Sequence, residues 1–273
     1  MSPMDFLSEF VTANGVKLHV RRVRADGPMM LMIHGLTDNG ACWARVAAQF
    51  TPEYDIVAVD VRAHGLSEAP PSGYSTRDIA NDVIGITEAL DLGSATFIGH
   101  SMGADAAAEV ARLRPDLVRQ LVLEDPPWSD DWVLSQPDSR EQMRQGWLSS
   151  LMADQPRGFD QLMESGRQRI PHWDEAELAP WAQSKLEVRP QALDYIVASR
   201  AAWQLTVQNL RCRTLLVVGE TQLGGGVSTS MADEARGLCP NLEVFQVEGA
   251  GHCIHRDQFE RYLVGLRRFL EET

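Results

Sequence analysis

The chain alternates short apolar runs with stretches of helical period, and that rhythm restricts its fold more than any other feature. Met29 to Ile33, Ile56 to Val59, Ala95 to Ile98 and Leu121 to Leu123 are apolar runs bounded by polar or turn residues. Between them lie helical patterns. Ala41 to Phe50 is helix-like, Ser75-Thr76 with Asp78 opens a helix through Leu90, and Met102 to Leu113 is rich in alanine. In the second helix, Ile79, Val83, Ile86 and Leu90 fall on one stripe. A strand that is apolar on both faces must be covered on both, and a helix in each connection makes neighbouring strands parallel. Val16 to Val23 alternates and reads as an earlier strand.

The rhythm stops at Pro126 and resumes near Leu210, with strands at Thr214 to Val218 and Leu242 to Val247. Helices at Ser228 to Leu238 and Asp257 to Leu270 complete the pattern. The intervening stretch shows no strand pattern and carries Trp128, Trp132, Trp147, Trp173, Trp181 and Trp203 among polar helical segments. The expected organisation is an α/β core built from residues 1–126 and 211–273, interrupted by a helical cap at 127–210. Such a cap would lie over the C-terminal strand ends, where open α/β sheets bind ligands.

With 273 residues, 44% of them hydrophobic, the chain can bury roughly three quarters of its unfolded surface. A net charge of -13 repels phosphate backbones and anionic lipid, which argues against nucleic-acid and membrane-surface partners. No apolar run approaches the ~20 residues of a membrane span. The opening Met1-Ser2-Pro3-Met4-Asp5 lacks a basic and then apolar leader, so a cytoplasmic location is expected. Cys42, Cys212, Cys239 and Cys253 form no C-x-x-C pair and suit no zinc site, so they read as structural thiols. Cys253, beside His252, is the one cysteine with a rival reading as a nucleophile.

Gly99-His100-Ser101-Met102-Gly103 stands between an apolar strand and the alanine-rich helix. A turn this sharp leaves no room for flanking Cβ atoms. It lifts the serine Oγ to the sheet edge and aims a helix N-terminus at the charge that develops when Oγ attacks a carbonyl. His34-Gly35-Leu36 follows an earlier strand, Asp60-Val61-Arg62-Ala63-His64-Gly65-Leu66-Ser67 follows the next, and Gly249-Ala250-Gly251-His252 follows the last. These four motifs, in this order, resemble those of the α/β-hydrolase superfamily over nearly the whole chain. The resemblance implies a serine nucleophile at Ser101 and a general base at His252, with His34, His64 and His100 inside structural turns. It also implies that the backbone amides of Leu36 and Met102 form the oxyanion hole.

The acid of the triad departs from the common family pattern. Many members carry an Asp shortly after the strand placed here at Thr214 to Val218, but the run Gly219-Glu220-Thr221-Gln222 has Gln222 there. Other members, some lactonases among them, carry it after the strand that ends here at Leu123. The resemblance then points to Asp125, with Glu220 and Glu124 as alternatives. Any of the three preserves the order Ser, acid, His.

Trp128, which directly follows the acid loop, is the leading pocket residue, together with His100 and Gly35. The tryptophans suit a hydrophobic or aromatic substrate. The resulting expectation is hydrolysis of a carboxylic ester or lactone through an acyl-enzyme, with no metal or organic cofactor. A homodimer is compatible with it. A C–C bond hydrolase, a cofactor-free dioxygenase and a non-catalytic small-molecule-binding protein remain alternatives on the same residues.

Overall fold

The computed structural model describes residues 6–129, 136–199 and 201–271. Eight strands form one sheet: β1 (Leu7–Ala13), β2 (Val16–Val23), β3 (Met29–Ile33), β4 (Asp55–Val59), β5 (Ala95–His100), β6 (Val118–Glu124), β7 (Arg213–Val218) and β8 (Leu242–Gln246). Their spatial order is β1-β2-β4-β3-β5-β6-β7-β8. β1 and β2 pair antiparallel, as do β2 and β4, and every later pairing is parallel. The longer helices of the core are α1 (Thr76–Ala89), α2 (Met102–Leu113), α6 (Thr229–Leu238) and α7 (Phe259–Glu271). Between β6 and β7 run α3 (Pro137–Asp154), α4 (Gly158–Arg169) and α5 (Glu175–Glu187).

Strand β1 escaped the sequence reading. It pairs with β2 through Asn14-Gly15, both at positive φ, a turn that Asn-Gly favours between alternating runs. The segment after Gly40 is shorter than expected. It forms a 3₁₀ turn at Gly40–Trp43 and one helical turn at Ala44–Ala47. Helix α1 begins as its sequence requires: Ser75 and Asp78 form a reciprocal capping box. The closing helix is preceded by a separate turn at Ile254–Asp257, which holds His255.

Two apolar layers flank the sheet. Ile79, Val83 and Ile86 of α1 and the alanines of α2 cover one face against Leu31, Phe97 and Leu121. Trp43, with Tyr262, Leu266 and Phe269 of α7, covers the other against Met32, Ile98 and Val122. Fully burying a Leu or Phe stabilises by about 1.5–3 kcal/mol, so α7 alone anchors its face firmly.

The connection from β3 runs outward to β4, and the chain then crosses back to β5 on the other side of β3. The strand order therefore reverses at the β3–β5 border, the kind of switch point where α/β sheets open a crevice. The segments bearing His34-Gly35-Leu36 and Ser101 leave the sheet at this border. The helices between β6 and β7 reach it too. The Asn39 side-chain Nδ2 donates to the Glu187 carboxylate at 2.7 Å, and the Arg189 backbone amide donates to the Ala63 carbonyl at 2.8 Å. Among the described residues, no helix is long and apolar enough to cross a membrane.

Candidate active site

Ser101 sits between β5 and α2 with φ 52° and ψ −119°, a strained conformation for a residue with a side chain. The turn is held by its surroundings. The Ser101 amide donates to the Glu124 carbonyl at 2.9 Å. A Cβ on Gly99 would lie 2.3 Å from the Gly103 carbonyl oxygen, and one on Gly103 would lie 2.2 Å from that of Ile33. Both flanking glycines are thus required by close backbone approach.

The three carboxylates that competed for one role have three different partners. Asp125, fully buried at φ 40°, accepts from His252 Nδ1 at 2.6 Å. Two backbone amides, of Gly226 at 2.8 Å and Val227 at 3.1 Å, also donate to the Asp125 carboxylate. Glu124 faces elsewhere: it accepts from the His255 amide at 2.9 Å and from His255 Nδ1 at 2.8 Å. Glu220 accepts from the Gly249 amide at 2.6 Å and from the Gln222 side chain, bracing the loop that carries His252.

Donation from Nδ1 to Asp125 leaves His252 Nε2 available as an acceptor when the ring is neutral. Burial alone would depress the His252 pKa. The bond to Asp125 and its charge, with the charges of Glu124 and Asp38, outweigh that and raise it above the ordinary histidine value. His252 and Ser101 line the same cavity, with no hydrogen bond between Oγ and Nε2 among the described residues. Such a contact can form as substrate is bound. His100 ties the two segments together by donating from Nε2 to the His252 carbonyl at 3.0 Å.

Three histidines act as fixed turn braces. Val61 donates its amide to His34 Nε2 at 3.0 Å, and Thr37 donates its amide to His64 Nε2 at 3.1 Å. Burial pushes His64 and His100 down to about 3, so both are neutral. The Asp60 motif is a scaffold of the same kind, accepting from His19, Gly40 and Leu66.

Leu36 lines the cavity, and Met102 begins α2 behind Ser101. Neither amide has an acceptor among the described residues. Lys185 of α5 grips the segment after Leu36: Nζ donates to the Thr37 carbonyl and to its hydroxyl, each at 2.9 Å. Asp38 is paired with Lys185 at 3.3 Å and with Arg256 at 3.0 Å. The two cations hold the Asp38 carboxyl well below the usual range despite its burial.

The cavity has a volume of about 1660 Å³ and runs between the sheet edge and the helices inserted after β6. Trp128 lines it, stacked on Trp203 with ring centroids 4.6 Å apart, and His100 lines it too. Trp147, Trp173 and Trp181 also reach the cavity, while Trp132 lies outside the described residues. Gly35 stands behind the wall: a Cβ there would fall 2.8 Å from His100 Nδ1 and 3.3 Å from the Ser101 Cβ. Cys253 touches the cavity, but burial pushes its thiol up to about 12, leaving almost no thiolate at neutral pH.

A sequence model of the α/β-hydrolase fold matches residues 28–258. This chain belongs to the α/β-hydrolase fold family. Two curated members of the family align with it almost end to end. One is 2-(acetamidomethylene)succinate hydrolase of Mesorhizobium japonicum, 28% identical, covering 97% of this chain and 96% of its own. The other is N-formylmaleamate deformylase of Pseudomonas putida, also 28% identical, covering 96% and 95%. The crystal structure of E-2-(acetamidomethylene)succinate hydrolase superimposes with a TM-score of 0.82 at 25% identity, over 98% of this chain and all of that one.

Sequence reasoning singled out Ser101, His252 and Asp125 and passed over Asp38, Lys185, Arg256 and Arg140. Lys185 had a visible signal, being one of the chain's two lysines. The other three have partners far along the chain, and no local pattern announces them.

Proposed function

We propose that this chain is a serine hydrolase that cleaves an acyl compound, an ester or lactone in the first instance, through an acyl-enzyme. The observation that carries the reading is the 2.6 Å bond from His252 to a buried Asp125 clamped by two amides, facing the same cavity as the strained Ser101. In this mechanism His252 Nε2 takes the Oγ proton as Oγ bonds to the substrate carbonyl carbon. The resulting oxyanion is held by the amides of Leu36 and Met102. The C–O bond to the leaving group then breaks, and that group leaves with the proton from His252. Water then attacks the acyl carbon as His252 takes its proton, the bond from that carbon to Oγ breaks, and His252 returns the proton to Oγ as the acid product departs. Asp125 keeps the imidazole in its working tautomer and offsets its charge. No metal or organic cofactor enters any of these steps. The helices between β6 and β7 serve as the cap that closes the site, with the core on either side at 1–126 and 211–273.

An amide is the second acyl class to consider. The two end-to-end relatives are named for hydrolysis of 2-(acetamidomethylene)succinate and deformylation of N-formylmaleamate, and those names describe N-acyl bonds. The same residues can expel nitrogen, because His252 protonates the leaving group.

A fluorophosphonate probe tests the reading. It should label the wild-type chain at Ser101, and Ser101→Ala should abolish both labelling and turnover of short nitrophenyl esters. A wild-type chain that resists the probe and gives no burst of nitrophenol would overturn the proposal.

A further inference from the structure

We propose that Arg140 forms a carboxylate subsite in the cavity it shares with Ser101, so that the substrate is an acyl compound bearing its own carboxylate. The proposal rests on the serine-hydrolase reading and narrows its substrate class. Arg140 lies in the first turn of α3, and its Nη1 donates to the carbonyl of Ala198 at 2.9 Å. That bond fixes one end of the planar guanidinium. Among the described residues, the opposite edge, Nε with Nη2, is unclaimed. Nε is buried without an acceptor, and no described group accepts from Nη2. This edge is the one that receives the two oxygens of a carboxylate side by side.

The carboxylates around the cavity are already engaged. Asp38 is held by Arg256 and Lys185, Glu109 by Arg112, and Asp105 accepts from Tyr195. On α3 itself, Glu141 is taken by Arg144. Among the described residues, Arg77, Arg140 and Arg169 line the cavity without pairing with a carboxylate, but Arg77 and Arg169 are exposed, and of the three only Arg140 has a buried Nε without an acceptor. Its neighbours on the same helix face, Met143 and Trp147, also line the cavity and are apolar or aromatic. They would contact the body of the substrate, and the one donor they add is the Trp147 indole N–H. The two parallel N–H donors of the Arg140 edge match a flat two-oxygen anion.

The test compares 4-nitrophenyl hemiadipate, with one free carboxylate, against the same ester capped as its methyl ester. The expected wild-type kcat/KM ratio favours the hemiester at least about tenfold. In Arg140→Met that ratio should fall to near one, and in Arg140→Lys, which keeps the charge without the fork, it should be intermediate. A wild-type ratio near one overturns the subsite, as does a ratio unchanged in Arg140→Met. Fluorophosphonate labelling of each variant shows that Ser101 is intact and the fold retained. If the wild type neither labels nor turns over either ester, the hydrolase reading fails, and the subsite is judged by calorimetry with adipate. Heat of binding present in wild type and absent in Arg140→Met supports the subsite, and its absence in wild type overturns it.

Discussion

At the scale of single residues, the identity of the acid is the sharpest question. Asp125→Asn keeps the shape but removes the charge, and an amide can present the wrong tautomer to His252. Turnover should fall about 10⁴-fold, measured on a nitrophenyl ester, while Glu220→Gln stays near wild type. The pH profile adds a second reading. His252 must be neutral to take the Oγ proton, so kcat/KM rises as pH passes upward through its pKa. That pKa is raised, so the acid limb should lie above 6.5. Removing the Asp125 charge takes away a raising influence, and the limb in Asp125→Asn should move to lower pH. A limb that stays put would assign the raised pKa to some other group.

At the scale of elements, two contacts decide whether the site is assembled. Helix α2 approaches β3 so closely that Gly103 has no room for a Cβ. Gly103→Ala should destabilise by about 1–3 kcal/mol, read from urea unfolding, because the obstacle is backbone and cannot swing aside. Helix α5 sends Lys185 to Thr37 and Asp38, directly after the Leu36 amide. Lys185→Met should loosen that segment and lower kcat roughly tenfold, less than outright loss of an oxyanion donor. KM should change little, since in the proposed mechanism the Leu36 amide serves the developing charge. A large KM change at unchanged kcat would instead place Lys185 in ordinary substrate binding.

At the scale of the whole molecule, the cavity is a space that neither the core nor the inserted helices enclose alone. At about 1660 Å³ it exceeds the roughly 300–1,000 Å³ of common small-ligand pockets. Esters with acyl groups of two to eight carbons should therefore be turned over with kcat/KM values within about tenfold of one another. A sharp cut-off at short chains would mean that the inserted helices close further when substrate binds. Under the proposed activation of Ser101 by His252, prior treatment with a metal chelator should leave the nitrophenol burst unchanged.

Much of this was legible in the sequence because it is local. Strand period, the capping box of α1 and the glycines around Ser101 depend on neighbours a few residues apart. The order of four turn motifs placed Ser101 and His252 because each motif ends a strand. The choice among Asp125, Glu220 and Glu124 depended on which carboxylate met which donor, and for Asp125 and Glu124 those donors lie more than a hundred residues along the chain, where only the folded packing brings them close. The same holds for Arg140, whose free edge is defined by the absence of a described partner, and for Lys185, whose partners lie 147 and 148 residues away. The sequence by itself determined seven of the eight strands, the turns and the types of reactive group. The tertiary structure alone decided which charges are neutralised and which are left facing the cavity, because pairing is a property of distance in space and not along the chain.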